Sequence, residues 1–186
     1  IELDFPLILK PFQEGSSIGV CPVFDAQELE EAFRISSRYG TVLMERFIKG
    51  TEYTVTILAD QVLPSLAIRP AALPVYSYEI KYDAASGTQY DCPSGLSESD
   101  ELMVQKLCWE AFCALGGRWY GRVDIMRSDT GEWFLLEINT IPGLTNNSLV
   151  PKTTKALGLS LAETVLMILA DTLTVRQKTA LAATVA

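Results

Sequence analysis

Four polar residues in the stretch 121–152, GRVDIMRSDTGEWFLLEINTIPGLTNNSLVPK, have the types and spacing for metal-assisted phosphate chemistry: Arg122, Asp124, Glu137 and Asn139. Arg122 and Asp124 stand two apart in a segment, 120–127, that alternates polar and apolar residues, so as a strand it places both on one face. Glu137 and Asn139 are likewise two apart, at the end of a second strand predicted over 133–138. Asp129-Thr130-Gly131 between them is a hairpin turn signal. If the strands pair through that turn, Asp124, Glu137 and Asn139 converge as hard oxygen donors beside an arginine. Such a set suits Mg²⁺ carrying the phosphates of a nucleotide. The same pattern also describes the solvated face of an antiparallel hairpin, and periodicity alone leaves both readings open.

Other residues extend the phosphate reading. An apolar strand over 5–10, FPLILK, ends in Lys10, and the loop after it, PFQEGSSIGV, holds Gly15, Ser16, Ser17 and Gly19. A loop of this kind can turn backbone N–H groups toward a phosphate, or it can simply be a turn. Glu45 and Glu52 fall at strand ends, where a carboxylate can accept hydrogen bonds from an adenine amine and ribose hydroxyls or stand as a surface charge. Glu79, Lys81 and Tyr82 lie in an aperiodic segment, 69–95, long enough to be functional or mobile and able to close over a ligand.

Composition narrows the classes. The chain has 186 residues, 48% hydrophobic and 20% charged, with a net charge of −8. That describes one good-sized core or two small lobes of a soluble protein. No lysine or arginine run occurs, which disfavours nucleic acid as a partner, and no apolar run approaches a membrane span. There is no histidine, and the four cysteines (Cys21, Cys92, Cys108, Cys113) form no CxxC pair. Zinc sites and histidine-based triads are excluded within the chain. Free buried thiols in a reducing, cytoplasmic setting are expected. No signal peptide is visible, and a chain opening on Ile1 at a strand-like segment reads as part of something longer.

The elements that would position these residues follow from pattern and punctuation. Asp25 and Glu28 have capping-box spacing ahead of an amphipathic helix over 26–38. Strands are predicted over 42–48, 52–59 and 62–68. Ser97 caps a helix over 98–115 whose inward stripe is read as Leu102, Leu107, Phe112 and Leu115. Met103, Trp109 and Cys113 are read as core or near-core packing. After the hairpin, Pro142-Gly143 breaks the chain and a polar loop covers 145–149. Pro151 opens a helix through residue 157, and Ser160 caps another over 161–173. The tail, 174–186, is expected to be disordered.

Taken in order, LKPFQEGSSIGV, MERFIKGTEYTV, YEIKYDAASGTQYDCP, GRVDIM, LLEINTIPGLTNNSLVPK and the final helix resemble the C-terminal two-thirds of the D-alanine–D-alanine ligases, members of the ATP-grasp superfamily. The resemblance runs to about residue 172. It implies an α+β, ATP-grasp fold: residues 1–50 as part of the small lobe, and 51–173 as a C-terminal lobe with a mostly antiparallel sheet flanked by helices. It implies ATP and two Mg²⁺ ions, or Mn²⁺, as cofactors. It also implies a cytoplasmic peptidoglycan-precursor enzyme, commonly a homodimer, that joins two D-alanines through an acylphosphate.

By resemblance, Lys10 holds ATP phosphates and Glu14, Gly15, Ser16 and Ser17 cover them. Glu45, the backbone at Arg46, Phe47 and Ile48, and Glu52 bind adenine and ribose. Lys81 contacts phosphate and substrate. Asp124, Glu137 and Asn139 hold the metals, while Arg122 and the Gly143 amide stabilise an oxyanion. Ser148 and Leu149 meet the carboxylate of the second D-alanine. Tyr82, linked to Ser16, marks D-alanine as that second substrate. Family members also use a glutamate from an N-terminal domain and a further lysine from the early central lobe, neither of which this chain carries. Asn146-Asn147 replaces a serine and histidine found in many relatives. By itself the chain is therefore expected to bind nucleotide weakly without turnover. A non-catalytic nucleotide-binding module and an ATP-grasp ligase for another amino acid are the competing readings.

Overall fold

The structure is a computed structural model and describes residues 3–70, 87–170 and 173. The chain divides into two units, residues 1–50 with 69–89, and residues 51–68 with 90–186.

In the first unit, strict alternation of buried and half-buried residues makes LILKP a strand, β1 (Leu7–Pro11). It pairs antiparallel with β2 (Cys21–Val23) on one side and β3 (Val42–Arg46) on the other. Leu7, Leu9 and Val23 point to one face and pack with Ala32 of helix α1 (Leu29–Ser36). The predicted helix over 26–38 therefore exists but starts three residues later, and a 3₁₀ turn (Ser37–Tyr39) follows it. Asp25 still organises the entry: its Oδ1 accepts from the N–H groups of Gln27 (2.8 Å) and Glu28 (3.2 Å). Glu28 in turn accepts from the Phe24 N–H at 2.7 Å.

The second unit is built on a sheet with strand order β7-β6-β4-β8-β9, where β4 is Gly50–Leu58, β6 Leu66–Arg69, β7 Gln89–Asp91, β8 Tyr120–Ser128 and β9 Trp133–Asn139. The short β5 (Gln61–Val62) folds back on the end of β4 through Ala59 and Asp60, at φ 53° and 57°. Two positive φ values in a two-residue loop match the twist of the flanking strands. The single strand predicted over 62–68 is thus two strands, because Pro64 lies between them and cannot donate to a ladder. β2 and β7, each three residues long, are too short to show a period in the sequence.

Helix α2 (Glu98–Ala114), capped by Ser97, packs on this sheet. Val104, Cys108 and Phe112 meet Tyr53, Val55, Ile57, Ala67, Val123 and Ile125 in a continuous core. This corrects the inward stripe read from sequence. Phe112 is buried and Leu107 packs at the edge of the core, but Leu102 and Leu115 are 61% and 76% exposed. Met103 and Cys113 are exposed as well. Apolar residues occur all round this helix, so only the i, i+4, i+8 row that meets the sheet is settled by packing.

Helices α3 (Leu149–Ala156) and α4 (Leu161–Leu169) follow. Ser160 and Glu163 form a reciprocal capping box at the start of α4. The two helices are joined by a buried hydroxyl bond from Thr164 to Thr154 at 2.9 Å. The chain is α+β, as expected, and among the described residues no helix is long and apolar enough to cross a membrane.

Candidate functional site

The turn joining β8 to β9 has Gly131 at φ 89°, a value glycine adopts without steric cost. Its N–H donates to the Ser128 carbonyl at 2.9 Å. Moving away from the turn, Arg127 faces Trp133, Met126 faces Phe134 and Ile125 faces Leu135. Continued in step, Asp124 would face Leu136, and Glu137 would face Val123 on the core side. Instead the ladder slips by one residue between Asp124 and Ile125. Leu136 becomes the extra residue of a β-bulge, after which Asp124 faces Glu137 and Arg122 faces Asn139. A one-residue slip exchanges the faces of a strand. The bulge is therefore what brings Glu137 and Asn139 onto the face of Arg122 and Asp124.

Arg122 grips Asp124 with two parallel bonds, Nε to Oδ1 at 2.8 Å and Nη2 to Oδ2 at 2.6 Å. Both side chains are nearly buried, 11% and 7% exposed, which is where a bidentate pair is strongest. Thr54 on β4 adds a third bond, its Oγ1 donating to Oδ1 at 2.7 Å. Burial works against the guanidinium's charge, but the hydrogen-bonded Asp124 carboxylate, with Glu137 and Glu52 behind it, holds the Arg122 pKa above its ordinary value. Arg122 is thus bonded to Asp124 and lies in the field of Glu137 and Glu52.

That balance, and the donor set, fit a hard divalent cation. Asp124 and Glu137 supply carboxylates, Asn139 an amide oxygen, and the surrounding charge is net negative. Asp124 keeps capacity for it: Oδ1 accepts two bonds, while Oδ2 accepts one and retains a lone pair. Asn139 Oδ1 accepts from the Ile141 N–H at 3.1 Å, which fixes its orientation. Among the described residues no group of three or more His, Cys, Asp or Glu forms a metal cluster, so the set is two carboxylates and an amide.

The loop after β9 is pinned at Tyr120, whose hydroxyl donates to the Pro142 carbonyl at 3.2 Å. Gly143 lies against Ser148; a Cβ at Gly143 would sit 2.8 Å from Ser148 Oγ. Ser148 precedes the first turn of α3, and its Oγ accepts from the Thr145 N–H at 3.2 Å. Leu149 is buried. Lys152, one turn on, donates to the Asn147 carbonyl at 2.5 Å and lies 4.7 Å from the Tyr90 ring centroid. Burial lowers its pKa.

In the first unit, Lys10 and Glu45 form an ion pair at 2.6 Å across β1 and β3. Glu14 and Gly15 are exposed, and Ser16 and Ser17 follow with φ of 55° and 60°. The Gly15 carbonyl accepts from the Ile18 N–H at 3.1 Å. Arg46 ends β3; the Phe47 N–H donates to the Pro6 carbonyl at 3.0 Å, and Ile48 follows in coil. Glu52 faces Ile68 across β4 and β6. Glu79, Lys81 and Tyr82 lie outside the described residues, as do most of the segment 69–95 and all of the tail, 174–186.

Three residues had no role assigned from sequence: Thr54, Lys152 and Tyr90. Thr54 shares the face of Glu52 in the alternation EYTVT and was legible by that rule. Lys152 and Tyr90 are far apart in sequence, and nothing local marks their contact.

The architecture is that of an ATP-grasp protein, in its C-terminal portion. A family model described as D-ala D-ala ligase C-terminus matches residues 1–170, and the chain belongs to that family. It is 46% identical over 171 residues to the D-alanine–D-alanine ligase of Halorhodospira halophila, covering 91% of this chain and 55% of that protein. Its fold is similar to the Bacillus anthracis D-alanine–D-alanine ligase complexed with ATP, at TM-score 0.73 and 32% identity, covering 89% and 52% of the two chains. It is also similar to the VanG D-Ala:D-Ser ligase of Enterococcus faecalis, at TM-score 0.76 and 29% identity, covering 90% and 50%. The chain spans about half the length of the relatives it matches.

Proposed function

We propose that the protein carrying this chain is a cytoplasmic D-alanine–D-alanine ligase, and that the face of Arg122, Asp124, Glu137 and Asn139 is its metal and oxyanion site. The observation that carries this reading is the bulge that sets Glu137 opposite Asp124 beside a buried arginine. A hairpin needing only a solvated face has no use for that register.

Asp124, Glu137 and Asn139 would hold Mg²⁺, which supplies neutralisation of the transferring phosphoryl group. Lys10 adds charge for the phosphates, and the serines of the 14–17 loop add hydroxyls and N–H donors. Glu45, the backbone at 46–48 and Glu52 accept from or donate to adenine and ribose. The carboxylate of the first D-alanine would take the γ-phosphoryl from ATP, giving an acylphosphate with ADP as the leaving group. The amine of the second then attacks, and phosphate leaves. Arg122 has five N–H donors, of which Asp124 takes two. The remainder, with the Gly143 amide, can meet the oxyanion of the adduct. Ser148 and Leu149 at the start of α3 would orient the second carboxylate, and Lys81 would contact phosphate and substrate. The glutamate for the first D-alanine's amine would come from the N-terminal part that the relatives have. Tyr82 with Ser16 favours D-alanine over D-lactate as the second substrate.

The test is phosphate release by the intact protein with ATP and Mg²⁺, offering D-alanine alone and then D-serine or D-lactate as the second substrate. Release that depends on D-alanine, with the dipeptide as product, is expected. Nucleotide binding without any amino-acid-dependent release would leave a non-catalytic module instead. Preference for another second substrate would overturn the assignment of Tyr82.

A further inference from the structure

Thr54 does more than fill a strand position. It is fully buried on β4, and its hydroxyl donates to Asp124 Oδ1 on the neighbouring β8 at 2.7 Å. A second acceptor, the Val123 carbonyl, stands at 3.4 Å, so the single hydroxyl proton goes to the nearer carboxylate. Arg122 Nε donates to the same Oδ1, and Arg122 Nη2 to Oδ2. Oδ1 is thereby saturated from two directions, and the plane of the carboxylate is set by donors on two strands. Only Oδ2 is left with a lone pair. We propose that Thr54 is a positioning residue for the metal: its hydroxyl locks the Asp124 carboxylate so that Oδ2 is the oxygen offered to the cation.

This rests on the reading of Asp124 as a metal ligand. Without Thr54, the carboxylate can rock in the plane of the guanidinium, and either oxygen can turn toward the cation at an entropic cost. Hydrogen bonds to ligating carboxylates of this kind change metal affinity by about 10–100-fold when removed. A threonine serving only the fold would not change it.

The experiment is a Mn²⁺ titration of the intact protein, followed by the electron paramagnetic resonance signal of free Mn²⁺, with Mg²⁺ dependence of turnover beside it. Thr54→Val is expected to weaken Mn²⁺ binding and raise the Mg²⁺ requirement by about 10–100-fold. Thr54→Ser, which keeps the hydroxyl, is expected to stay close to wild type in both. If Thr54→Val does not fold, Thr54→Ala removes the hydroxyl without adding a methyl group in its place. Asp124→Asn separates the two claims. Wild-type Mn²⁺ affinity in a folded Thr54→Val or Thr54→Ala, with binding lost in Asp124→Asn, overturns the role of Thr54 alone. Unchanged binding in Asp124→Asn overturns the metal site itself, and the positioning role with it.

Discussion

Asp124 and Glu137 face each other across β8 and β9 only because the ladder slips by one residue at Leu136. Three pairs nearer the turn are in the register that would have sent Glu137 into the core. The cost of a bulge in an otherwise regular hairpin is met by what it assembles: two carboxylates, an amide and an arginine on a single face.

The Arg122–Asp124 pair should be expensive to break from one side. Asp124→Asn leaves the nearly buried Arg122 without its bidentate partner. Removing one partner of a buried pair costs about 3–5 kcal/mol. An unfolding free energy lowered by that amount, read from a shifted denaturant midpoint at unchanged slope, is expected. Replacing both residues together by apolar ones should cost less than Asp124→Asn alone.

How much of this was legible in the sequence depends on the residue. The hairpin could be read from Asp129-Thr130-Gly131, and the alternation on each strand placed Arg122 with Asp124 and Glu137 with Asn139. The bulge could not be read. FLLEIN has no glycine or proline to mark an irregularity, and its apolar residues suit either face. The same limit applied to α2, where Leu102 and Leu115 looked as good as Val104 and Cys108 until the sheet chose between them. Caps were legible in part: Ser160 and Glu163 act through bonds three residues apart and leave a local trace, whereas Asp25 bonds the turn ahead of α1, whose N-cap is Glu28 without a side-chain cap.

The packing of α2 gives a prediction with a built-in control. Phe112→Ala removes a fully buried ring from the core and should destabilise by about 3–5 kcal/mol. Leu102→Ala, on the exposed side, should stay within about 0.5 kcal/mol of wild type. Equal losses at the two positions in chemical denaturation would contradict the observed helix face.

Gly143 and Ser148 make a second linked pair. Gly143→Ala sets a Cβ 2.8 Å from Ser148 Oγ, a contact that forces one of them to move. Gly143 is exposed and the serine hydroxyl can rotate away, so the cost in stability should stay within about 0.5 kcal/mol. If Ser148 meets the second substrate, Gly143→Ala should raise the KM for that substrate more than the KM for ATP. Ser148→Ala in the same chain removes the crowded hydroxyl and should not restore the KM. A KM for the second substrate that does not move would count against the role given to this loop.

Stability should fall in alkali through two buried groups. Burial, then the Asp124 and Glu101 carboxylates, push the Cys108 thiol from 9.0 up to about 12. Burial pushes the Tyr120 phenol from 10.0 up to about 12, with Arg122 opposing. Both folded values are raised, so each contribution is complete below the unfolded value and is lost as pH rises toward about 12. Urea midpoints of wild type should fall across that range, and Cys108→Ala and Tyr120→Phe should each flatten the slope. Thiol titration of the native protein should find exposed Cys113 reactive and buried Cys108 protected. Equal reactivity of the two would contradict the packing of α2.

The central claim is that Glu137, brought opposite Asp124, holds the metal on which phosphoryl transfer depends. The most direct measurement is a Mg²⁺ titration of D-alanine-dependent phosphate release by the intact protein and by its Glu137→Gln variant. Removal of a ligand should exceed the roughly 10–100-fold effect of losing a supporting hydrogen bond. The expected result is a Mg²⁺ requirement raised beyond that range, with the fold and thermal stability retained. A Glu137→Gln enzyme with the wild-type Mg²⁺ curve would contradict it.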